Sequence, residues 1–286
     1  MRDFTPETYK LLLKSFLKQN YNFQSFIDFF TNAKSRTVIL RHDVDARKMN
    51  SLLFAQLENK FGIKGTYYFR ITPESFDENI IKQIYDLGHE IGYHYEDVSL
   101  IAKTRSIFNV QRYNTNRDKA LLIKASIDSF SKNLAKLRRI VPVETVCMHG
   151  SPLSKWDNRL LWKYYNYRDF GIKGEPYFDT DFGEVFYLTD TGRRWDGEAF
   201  SVRDKTTRKE TNKTSGTEAI KGGNSLHSTF DIINALKENR LPEKIMLTVH
   251  PQRWDSRPLV WFRELIWQNV KNIVKGTLVK IQNDKL

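Results

Sequence analysis

Short apolar runs rich in β-branched and aromatic residues alternate along this chain with longer segments whose apolar residues recur at helical spacing. The strand-like runs are residues 37–45, 65–70, 89–94, 144–149, 185–189 and 244–250. The helical segments are residues 6–19, 23–30, 49–61, 78–87, 119–139 and 258–274. This alternation is typical of α/β proteins, in which helices connect parallel strands. In the last helical segment the periodicity predicts that Phe262, Ile266, Val270 and Ile273 are buried.

Length and composition predict a single domain over residues 1–286. The chain is 40% hydrophobic and 28% charged, which is usual for a protein with a buried core. Cys147 is the single cysteine, which excludes an intrachain disulfide and a cysteine-rich zinc module. Residues 1–35 are expected to form a helical N-terminal extension. Residues 201–224 are polar and basic and interrupt the alternation, so we predict a basic loop there.

The charge balance suggests an anionic partner. The net charge of +12 suits a phosphorylated substrate, a membrane surface or nucleic acid. No recognised DNA-binding motif accompanies this charge, so we do not expect nucleic acid as a partner. We find no secretory signal and no uncharged apolar segment long enough to span a bilayer, which predicts a cytoplasmic location. Peripheral contact with a membrane stays open, and the sequence predicts no particular oligomeric state.

Ionisable residues cluster at the ends of the predicted strands. Five of the six histidines, His42, His89, His94, His149 and His250, lie on or beside these ends. The loops that follow parallel strands converge at one edge of a sheet or barrel, and functional sites form there. The sequence therefore predicts a functional site at the carboxyl ends of the strands.

Asp43 and Asp45 end the first strand-like run, and the alternation of side chains along a strand places both on one face. Two carboxylates this close repel each other unless a cation, a proton or an arginine lies between them. A divalent metal on one and a general-base role for the other would satisfy both; a capping aspartate beside a solvated one is the alternative. His94 is the best candidate for an imidazole ligand, and His250 suits a general acid or base. A satisfied core histidine is the alternative for each, and His149 is expected to point at the same site.

Arginine lies next to tryptophan at two places in the sequence. These residues are Arg193, Arg194 and Trp195, and Arg253 and Trp254. Such neighbours bind sugars by stacking and phosphates by bidentate hydrogen bonds. Alternatively, each tryptophan anchors a loop to the core with arginine stacked outside.

Four segments together resemble the metal-dependent polysaccharide deacetylases of carbohydrate esterase family 4, the NodB-homology group. Leu40-Arg-His-Asp-Val-Asp45 resembles the first motif of that family, in which one aspartate is the base and a second binds metal. Gly65-Thr-Tyr-Tyr-Phe is similar to the aromatic strand that follows, and Gly88-His-Glu-Ile-Gly-Tyr-His94 to the second motif, up to its first metal histidine. Leu247-Thr-Val-His250-Pro is similar to the last motif, which supplies a catalytic histidine. The resemblance implies a distorted (β/α)7-type barrel.

Three positions depart from the pattern of that family. Val98 stands where the family has its second metal histidine, and the two acids of the first motif are separated by one residue. The strand expected to supply an arginine for orienting the catalytic aspartate ends instead in Met148-His149-Gly150. We expect either that His149 or an acid from Glu96-Asp97 replaces the lost ligand, or that metal is absent. Arg70 is expected to orient Asp43 in place of the missing arginine.

The resemblance implies a hydrolase that removes an N-acetyl or other acyl group from a sugar, as in O-antigen or capsule biosynthesis. Asp43 would be the base and His250 the acid, while Asp45, His94 and His149 would hold a divalent metal, zinc before cobalt or nickel. Substrate would contact Arg70, Arg193, Arg194, Trp195, Arg253 and Trp254. The arginines beside the tryptophans and the basic loop would meet the phosphate of a nucleotide- or lipid-linked sugar. A metal-independent C–N hydrolase or isomerase on the same fold, and a non-catalytic sugar-binding protein, are the alternatives.

Overall fold

Seven parallel strands form one sheet at the centre of the computed structural model. It describes residues 1–107, 116–150, 154, 156–195 and 226–283, of which 105–107 and 272–283 are described by backbone alone. The strands are β1 (Asn22–Gln24), β2 (Thr37–Val44), β3 (Thr66–Phe69), β4 (Glu90–Tyr95), β5 (Val146–Met148), β6 (Phe186–Thr189) and β7 (Lys244–Val249). Their order is β5-β4-β3-β2-β7-β6. β1 and β3 share one edge of β2, because β1 pairs with residues 37–39 and β3 with residues 41–44.

Helices connect most of these strands, so the α/β prediction is confirmed. They are α1 (Pro6–Lys18), α2 (Phe26–Thr31), α3 (Lys48–Asn59), α4 (Glu78–Asp86), α5 (Asp97–Ile107), α6 (Asn116–Arg138), α7 (Pro176–Asp179), α8 (Thr229–Lys237) and α9 (Pro258–Asn283). Short 3-10 helices cover Asn158–Lys163, Tyr167–Phe170 and Pro251–Arg253. A search of the described residues finds no helix with the length and apolarity needed to cross a membrane.

β2 is the central strand, and its sequence explains why. All eight of its residues are buried, and it pairs with neighbours along both edges. An apolar, β-branched run such as Thr37-Val-Ile-Leu40 is typical of a parallel strand that is covered on both faces. β2 therefore delivers Asp43, and just beyond it Asp45, to the middle of the carboxyl edge of the sheet.

The segment predicted as a helix over residues 23–30 contains a strand as well. Asn22–Gln24 form β1, and α2 begins only after Ser25, whose hydroxyl accepts a hydrogen bond from the backbone N–H of Asp28 at 3.2 Å. Such a cap fixes the start of a helix. The aromatic residues gave no signal that separates the strand from the helix. β1 also makes part of the predicted N-terminal extension an element of the central sheet.

The prediction of a (β/α)7-type barrel is confirmed only in part. The sheet has seven parallel strands, but β5 and β6 are the two ends of its path, and no pairing in the described residues joins them. Beyond β5, the chain at Gly174 forms a parallel bridge with Thr145. The fold shown is therefore an open parallel sheet flanked by helices, and closure into a full (β/α)7 barrel is not shown.

The C-terminal helix contradicts one packing prediction. α9 exists and begins at Pro258, yet Phe262, Ile266 and Val270 are exposed on its outer face. The side chain of Ile273 lies outside the described residues. Periodicity shows that a helix has an apolar face but does not show what covers that face.

Candidate metal and acid–base site

Arg41 and Asp43 lie on one face of β2, since residues two apart on a strand share a face. The Arg41 Nε and Nη2 groups donate to the two oxygens of Asp43 at 2.8 and 2.7 Å. The guanidinium also lies 4.9 Å from the ring centre of Tyr177. Burial raises the pKa of Asp43, but the attraction of Arg41 and of the nearby His94 outweighs it and lowers that pKa to about 2. Asp43 is thus an ionised carboxylate held in one orientation.

Arg70 does not hold Asp43, so that prediction is wrong. Its Nε donates to Glu96 Oε1 at 2.7 Å, and its Nη1 donates to the backbone carbonyl of Asp45 at 3.1 Å. Arg41 takes the predicted role because it precedes Asp43 by two residues on the same strand. The alternation of side chains along the strand was the available signal. Arg70 is therefore a positioning residue for Glu96 and for the chain at Asp45, and the structure does not place it as a contact for substrate.

Two histidines from neighbouring strands face Asp45. His94 is the penultimate residue of β4. Its Nδ1 lies 2.9 Å from the carbonyl of Cys147, and its Nε2 lies 3.6 Å from Asp45 Oδ1. His149 follows β5 and its Nδ1 lies 3.0 Å from Glu96 Oε2, while its Nε2 lies 3.5 Å from the same Asp45 oxygen. Each Nδ1 thus faces an oxygen that only accepts hydrogen bonds. With the proton on Nδ1, both Nε2 lone pairs are directed toward Asp45.

These three side chains fit a divalent cation. Asp45 Oδ1 is buried and has no hydrogen-bond partner, although it faces two imidazole nitrogens. Two ligands that each lie about 2.1 Å from a tetrahedral zinc ion are about 3.4 Å apart, close to the separations here. One oxygen and two imidazole nitrogens are also a ligand set that zinc accepts. The arrangement therefore has the donors, the spacing and the unsatisfied oxygen of a metal site.

A second cluster of possible ligands lies deeper in the protein. Asp43, His94 and Cys147 each bring a ligand atom within 4.8 Å of the others, and all three are buried. Asp43 is already paired with Arg41, however, which makes its carboxylate a poorer ligand. The cluster of Asp45, His94 and His149 is therefore the stronger candidate, and Cys147 is a buried thiol.

The acids of Glu96-Asp97 have different neighbours from each other. Glu96 contacts Nδ1 of His149, the ring nitrogen that does not face Asp45. A residue in this position orients a metal ligand. Asp97 accepts from Tyr93, Ser129 and Asn133 and is buried away from Asp45. Burial raises its pKa to about 6. Val98 is a core residue packed in the main apolar cluster.

His250 follows β7 and faces Asp45 from the other side. Its Nδ1 lies 2.6 Å from Asp190 Oδ1, and its backbone N–H donates to Asp190 Oδ2 at 2.9 Å. Its Nε2 lies 3.9 Å from Asp45 Oδ2. Asp190 is fully buried; burial raises its pKa, but His250 and Arg253 outweigh this and hold the pKa low. An ionised Asp190 fixes the His250 ring with Nε2 toward the site.

Besides Arg41, two residues of this site were missed by the sequence analysis. Asp190 follows β6, and Gln252 lies two residues after His250 and donates from Nε2 to Asp45 Oδ2 at 3.0 Å. The signal for Asp190 was its place after a strand-like run, the same signal that selected Asp43. Gln252 had no signal, because a glutamine in a loop has no distinctive spacing.

The two tryptophans predicted to stack on sugar are core residues instead. Trp195 and Trp254 are 3% and 1% exposed, and their indole N–H groups donate to Thr229 and Asp190 at 2.9 and 2.7 Å. Both tryptophans therefore anchor a loop to the core, as in the alternative, but the neighbouring Arg193 is buried and does not stack outside. Packing against Phe4 explains their burial, since its ring stacks near each of them.

The neighbouring arginines have different surroundings. Arg253 Nη1 donates to Asp190 at 2.8 Å. Arg193 is buried between the rings of Phe4 and Trp261, at 5.2 and 4.6 Å, and burial lowers its pKa to about 10. Arg194 is half-buried. The structure does not test their predicted contact with phosphate, and the basic loop at 201–224 lies outside the described residues.

The remaining two histidines of the strand ends are structural. His42 and His89 are buried on the opposite face of the sheet, where both approach Glu58. The structure thus brings together Asp43, Asp45, His94, His149 and His250 at one edge of the sheet. It separates them from His42, His89, Trp195 and Trp254.

Comparisons with known proteins give little further information. No protein-family model and no curated protein matches this chain. A search of solved structures finds the crystal structure of the Xyl-CE4 domain of a multidomain xylanase from the hindgut metagenome of Trinervitermes trinervoides. The two chains are 11% identical over 84% of each, with a TM-score of 0.35. A likeness at this identity and TM-score establishes neither a common fold nor a common activity.

Proposed function

We propose that the protein is a metal-dependent hydrolase that removes an N-acetyl or similar acyl group from an amino sugar. The observation that carries this proposal is Asp45 Oδ1, a buried carboxylate oxygen without a hydrogen-bond partner that lies 3.5 and 3.6 Å from two imidazole nitrogens. An orphaned buried charge is costly unless a cation completes it. Asp43, held by Arg41, and His250, held by Asp190, lie at the same edge of the sheet. They supply the two proton-transfer groups that amide hydrolysis requires.

Asp45, His94 and His149 would hold the cation. When bound, a divalent metal supplies Lewis acidity, which polarises a carbonyl oxygen and makes water a better nucleophile at neutral pH. The backbone carbonyl of Cys147 and the carboxylate of Glu96 fix the two imidazole rings by accepting hydrogen bonds from Nδ1. Gln252 holds the second oxygen of Asp45. These contacts keep the three ligand atoms in place before any cation arrives, which reduces the cost of binding one.

Asp43 would accept the proton of the attacking water. Its oxygen Oδ2 lies 3.7 Å from His94 Nε2, so it borders the space between the proposed ligands. The Arg41 fork keeps it ionised and fixed in orientation, but the same fork makes it a weak base. Proton transfer to Asp43 therefore requires water whose acidity has already been increased, which is a further reason for a metal at Asp45.

His250 would donate a proton to the departing amine. With one proton on Nδ1, which lies beside Asp190, the proton available for transfer would be on Nε2, the nitrogen that faces Asp45. The water contributes its oxygen and one hydrogen to the released acetic acid and its other proton to Asp43, and the sugar amine takes its proton from His250. Return of the proton from Asp43 to His250 would restore both groups. The C–N bond breaks and a C–O bond forms, with no change in oxidation state.

The substrate would be a sugar of a bacterial surface-polysaccharide pathway that carries a nucleotide or lipid phosphate. Support comes from the motif resemblance at Leu40–Asp45 and Gly88–His94 and from the net charge of +12. A basic protein attracts a phosphorylated sugar more strongly than a neutral glycan. Zinc is the proposed ion, and cobalt or nickel would suit the same ligands.

Acetate release tests this function directly. Metal-stripped protein is incubated with N-acetylated nucleotide sugars and with neutral N-acetylated oligosaccharides, each with zinc, cobalt, nickel or no ion. We expect acetate from a phosphorylated sugar only when an ion is present. Hydrolysis of another C–N bond without any ion would favour the metal-independent alternative, and tight sugar binding without hydrolysis would favour a binding protein.

A further inference from the structure

α9 differs from an ordinary surface helix because large apolar side chains lie on its outer face as well as on its inner one. Its inward face carries Glu264, whose carboxylate pairs with Arg47 at 3.4 Å, and Gln268, which is buried and donates to Glu264 at 2.7 Å. Lys271, one turn further along, is half-buried. A surface helix normally turns its polar side to water and its apolar side to the core. In α9 several polar side chains pack against the protein, and large apolar side chains point outward.

The outward side chains form a continuous stripe. Leu259, Phe262, Ile266, Trp267 and Val270 are between 46% and 87% exposed. Their spacing of three or four residues places them along one side of the helix, over its first four turns. No described residue outside α9 covers this stripe. Single exposed apolar residues are ordinary, but a contiguous apolar stripe marks a surface that binds another apolar surface.

The charge around the stripe identifies its partner. In sequence, α9 carries Arg263, Lys271, Lys275 and Lys280 against a single acid, Glu264. That acid is turned inward to Arg47, and the whole chain has a net charge of +12. A second copy would bring together two chains that each carry this positive net charge, which is unfavourable. An anionic lipid surface matches both the positive charge and the apolar stripe.

We propose that the Leu259–Val270 stripe of α9 docks the protein on the surface of an anionic membrane. The apolar side chains would enter the boundary between headgroups and acyl chains, where tryptophan and phenylalanine are favoured, and the basic residues would meet lipid phosphates. Docking of this kind is peripheral and reversible, since one amphipathic helix supplies the whole contact.

The docking helix is connected to the candidate site through a short chain of contacts. Glu264 of α9 holds Arg47, Arg47 Nη1 donates to the carbonyl of Gln252, and Gln252 holds Asp45. A docked protein would therefore hold this site near the lipid surface, within reach of a lipid-linked sugar. This last consequence rests on the proposed function, whereas the docking itself does not.

Vesicle flotation of the full chain tests the docking. We expect the protein to float with vesicles of equal parts phosphatidylcholine and phosphatidylglycerol, to bind phosphatidylcholine vesicles far less, and to detach as salt is raised. Combining Phe262→Gln with Trp267→Gln should lower the bound fraction by about tenfold or more. The matched control combines Tyr85→Gln with Leu121→Gln, which removes exposed apolar residues from α4 and α6 and should leave binding unchanged.

Two outcomes would overturn the docking proposal. One is a bound fraction that is the same for the wild type, the α9 variant and the control. The other is a dimer in light scattering that the α9 variant dissociates, since the stripe would then cover a second copy. Repeating the flotation with Asp43→Asn separates docking from catalysis. If docking is right and the proposed hydrolysis is wrong, the wild type and the variant both bind vesicles, and neither releases acetate.

Discussion

Two clusters of histidine and carboxylate lie on opposite faces of β2, and they differ in how their carboxylates are satisfied. Behind the strand, Glu58 accepts hydrogen bonds from the hydroxyls of Tyr9 and Tyr67 at 2.6 and 2.8 Å and lies 2.9 Å from His42 Nε2. It is fully buried. At the carboxyl edge, Asp45 accepts one hydrogen bond from Gln252 on one oxygen and none on the other, although two histidines face it.

His89 of the inner cluster differs in the same way from His94 and His149 of the outer one. His89 uses both ring nitrogens: Nδ1 accepts from the backbone N–H of Gly65 at 3.2 Å, and Nε2 lies 3.2 Å from the carbonyl of Ala55. His94 and His149 use only Nδ1 in this way, and both Nε2 atoms face Asp45. The same residue types therefore give a carboxylate with hydrogen bonds on both oxygens in one place and a carboxylate with an unsatisfied oxygen in the other. The unsatisfied oxygen of Asp45, and not composition, distinguishes the candidate site.

The largest expected effect is the loss of turnover when a residue of the candidate site is changed. Asp43→Asn removes the proposed base while its amide oxygen can keep one hydrogen bond from Arg41. We expect acetate release to fall by about 100- to 10,000-fold, with little change in zinc affinity. Steady-state kinetics with the substrate found in the panel, and circular dichroism as a check of folding, measure this. Unchanged turnover would remove Asp43 from the role of base.

Glu58→Gln should act on stability instead of function. The change weakens the hydrogen bonds that the hydroxyls of Tyr9 and Tyr67 donate to the carboxylate, and each hydrogen bond to a charged group contributes about 1.5–3 kcal/mol to the free energy of unfolding. Zinc affinity should stay the same. Urea unfolding measures the loss, with Glu238→Gln, in an exposed ion pair with Arg240, as the matched control with an effect below about 1 kcal/mol. A large loss of zinc affinity with little loss of stability would show that the comparison is wrong.

Glu96→Gln should act on metal binding. Glu96 fixes the ring of His149 through Nδ1, and loss of such a partner typically lowers metal affinity by about 10- to 100-fold. Asp86→Asn, which removes an exposed carboxylate paired with Lys82, is the matched control. Competition with a chromogenic zinc chelator measures both affinities. Equal affinity in the Glu96 variant and the wild type would exclude this role.

The smallest effect concerns the pH dependence of stability. Burial lowers the pKa of His89 below its ordinary value of 6.5, so on acidification the unfolded chain takes up this proton before the folded chain does. Stability is therefore present above pH 6.5 and is lost as pH falls toward the folded pKa, by up to about 1.4 kcal/mol per pH unit. His89→Gln should reduce the slope between pH 7.5 and 5.5 in urea unfolding. An unchanged slope would show that His89 titrates normally.

Part of the fold and of the site could be predicted from the sequence. Alternation along β2 placed Asp43 and Asp45 on one face, and the position of His94, His149 and His250 at or just after strand ends placed them at one edge. Both signals are local, because they depend only on strand periodicity and on where a strand ends.

The partners of these residues could not be predicted in the same way. Glu96 and His149 are 53 residues apart, and Asp190 and His250 are 60 apart, so neither pair has a spacing to recognise. The direction in which α9 faces was also beyond the sequence, since its periodicity is the same whether the apolar side meets the core or a membrane. Contacts between distant segments decide both.

Calorimetric titration of metal-stripped protein with zinc tests the proposed site most directly. We expect a single ion per chain, an affinity that His149→Ala lowers by at least about 100-fold, and no effect of Cys147→Ser. The two variants separate the two clusters of ligand atoms, since His149 belongs only to the outer one and Cys147 only to the inner one. Binding that survives His149→Ala but is lost with Cys147→Ser, or no binding by the wild type, would contradict a metal centre at Asp45, His94 and His149.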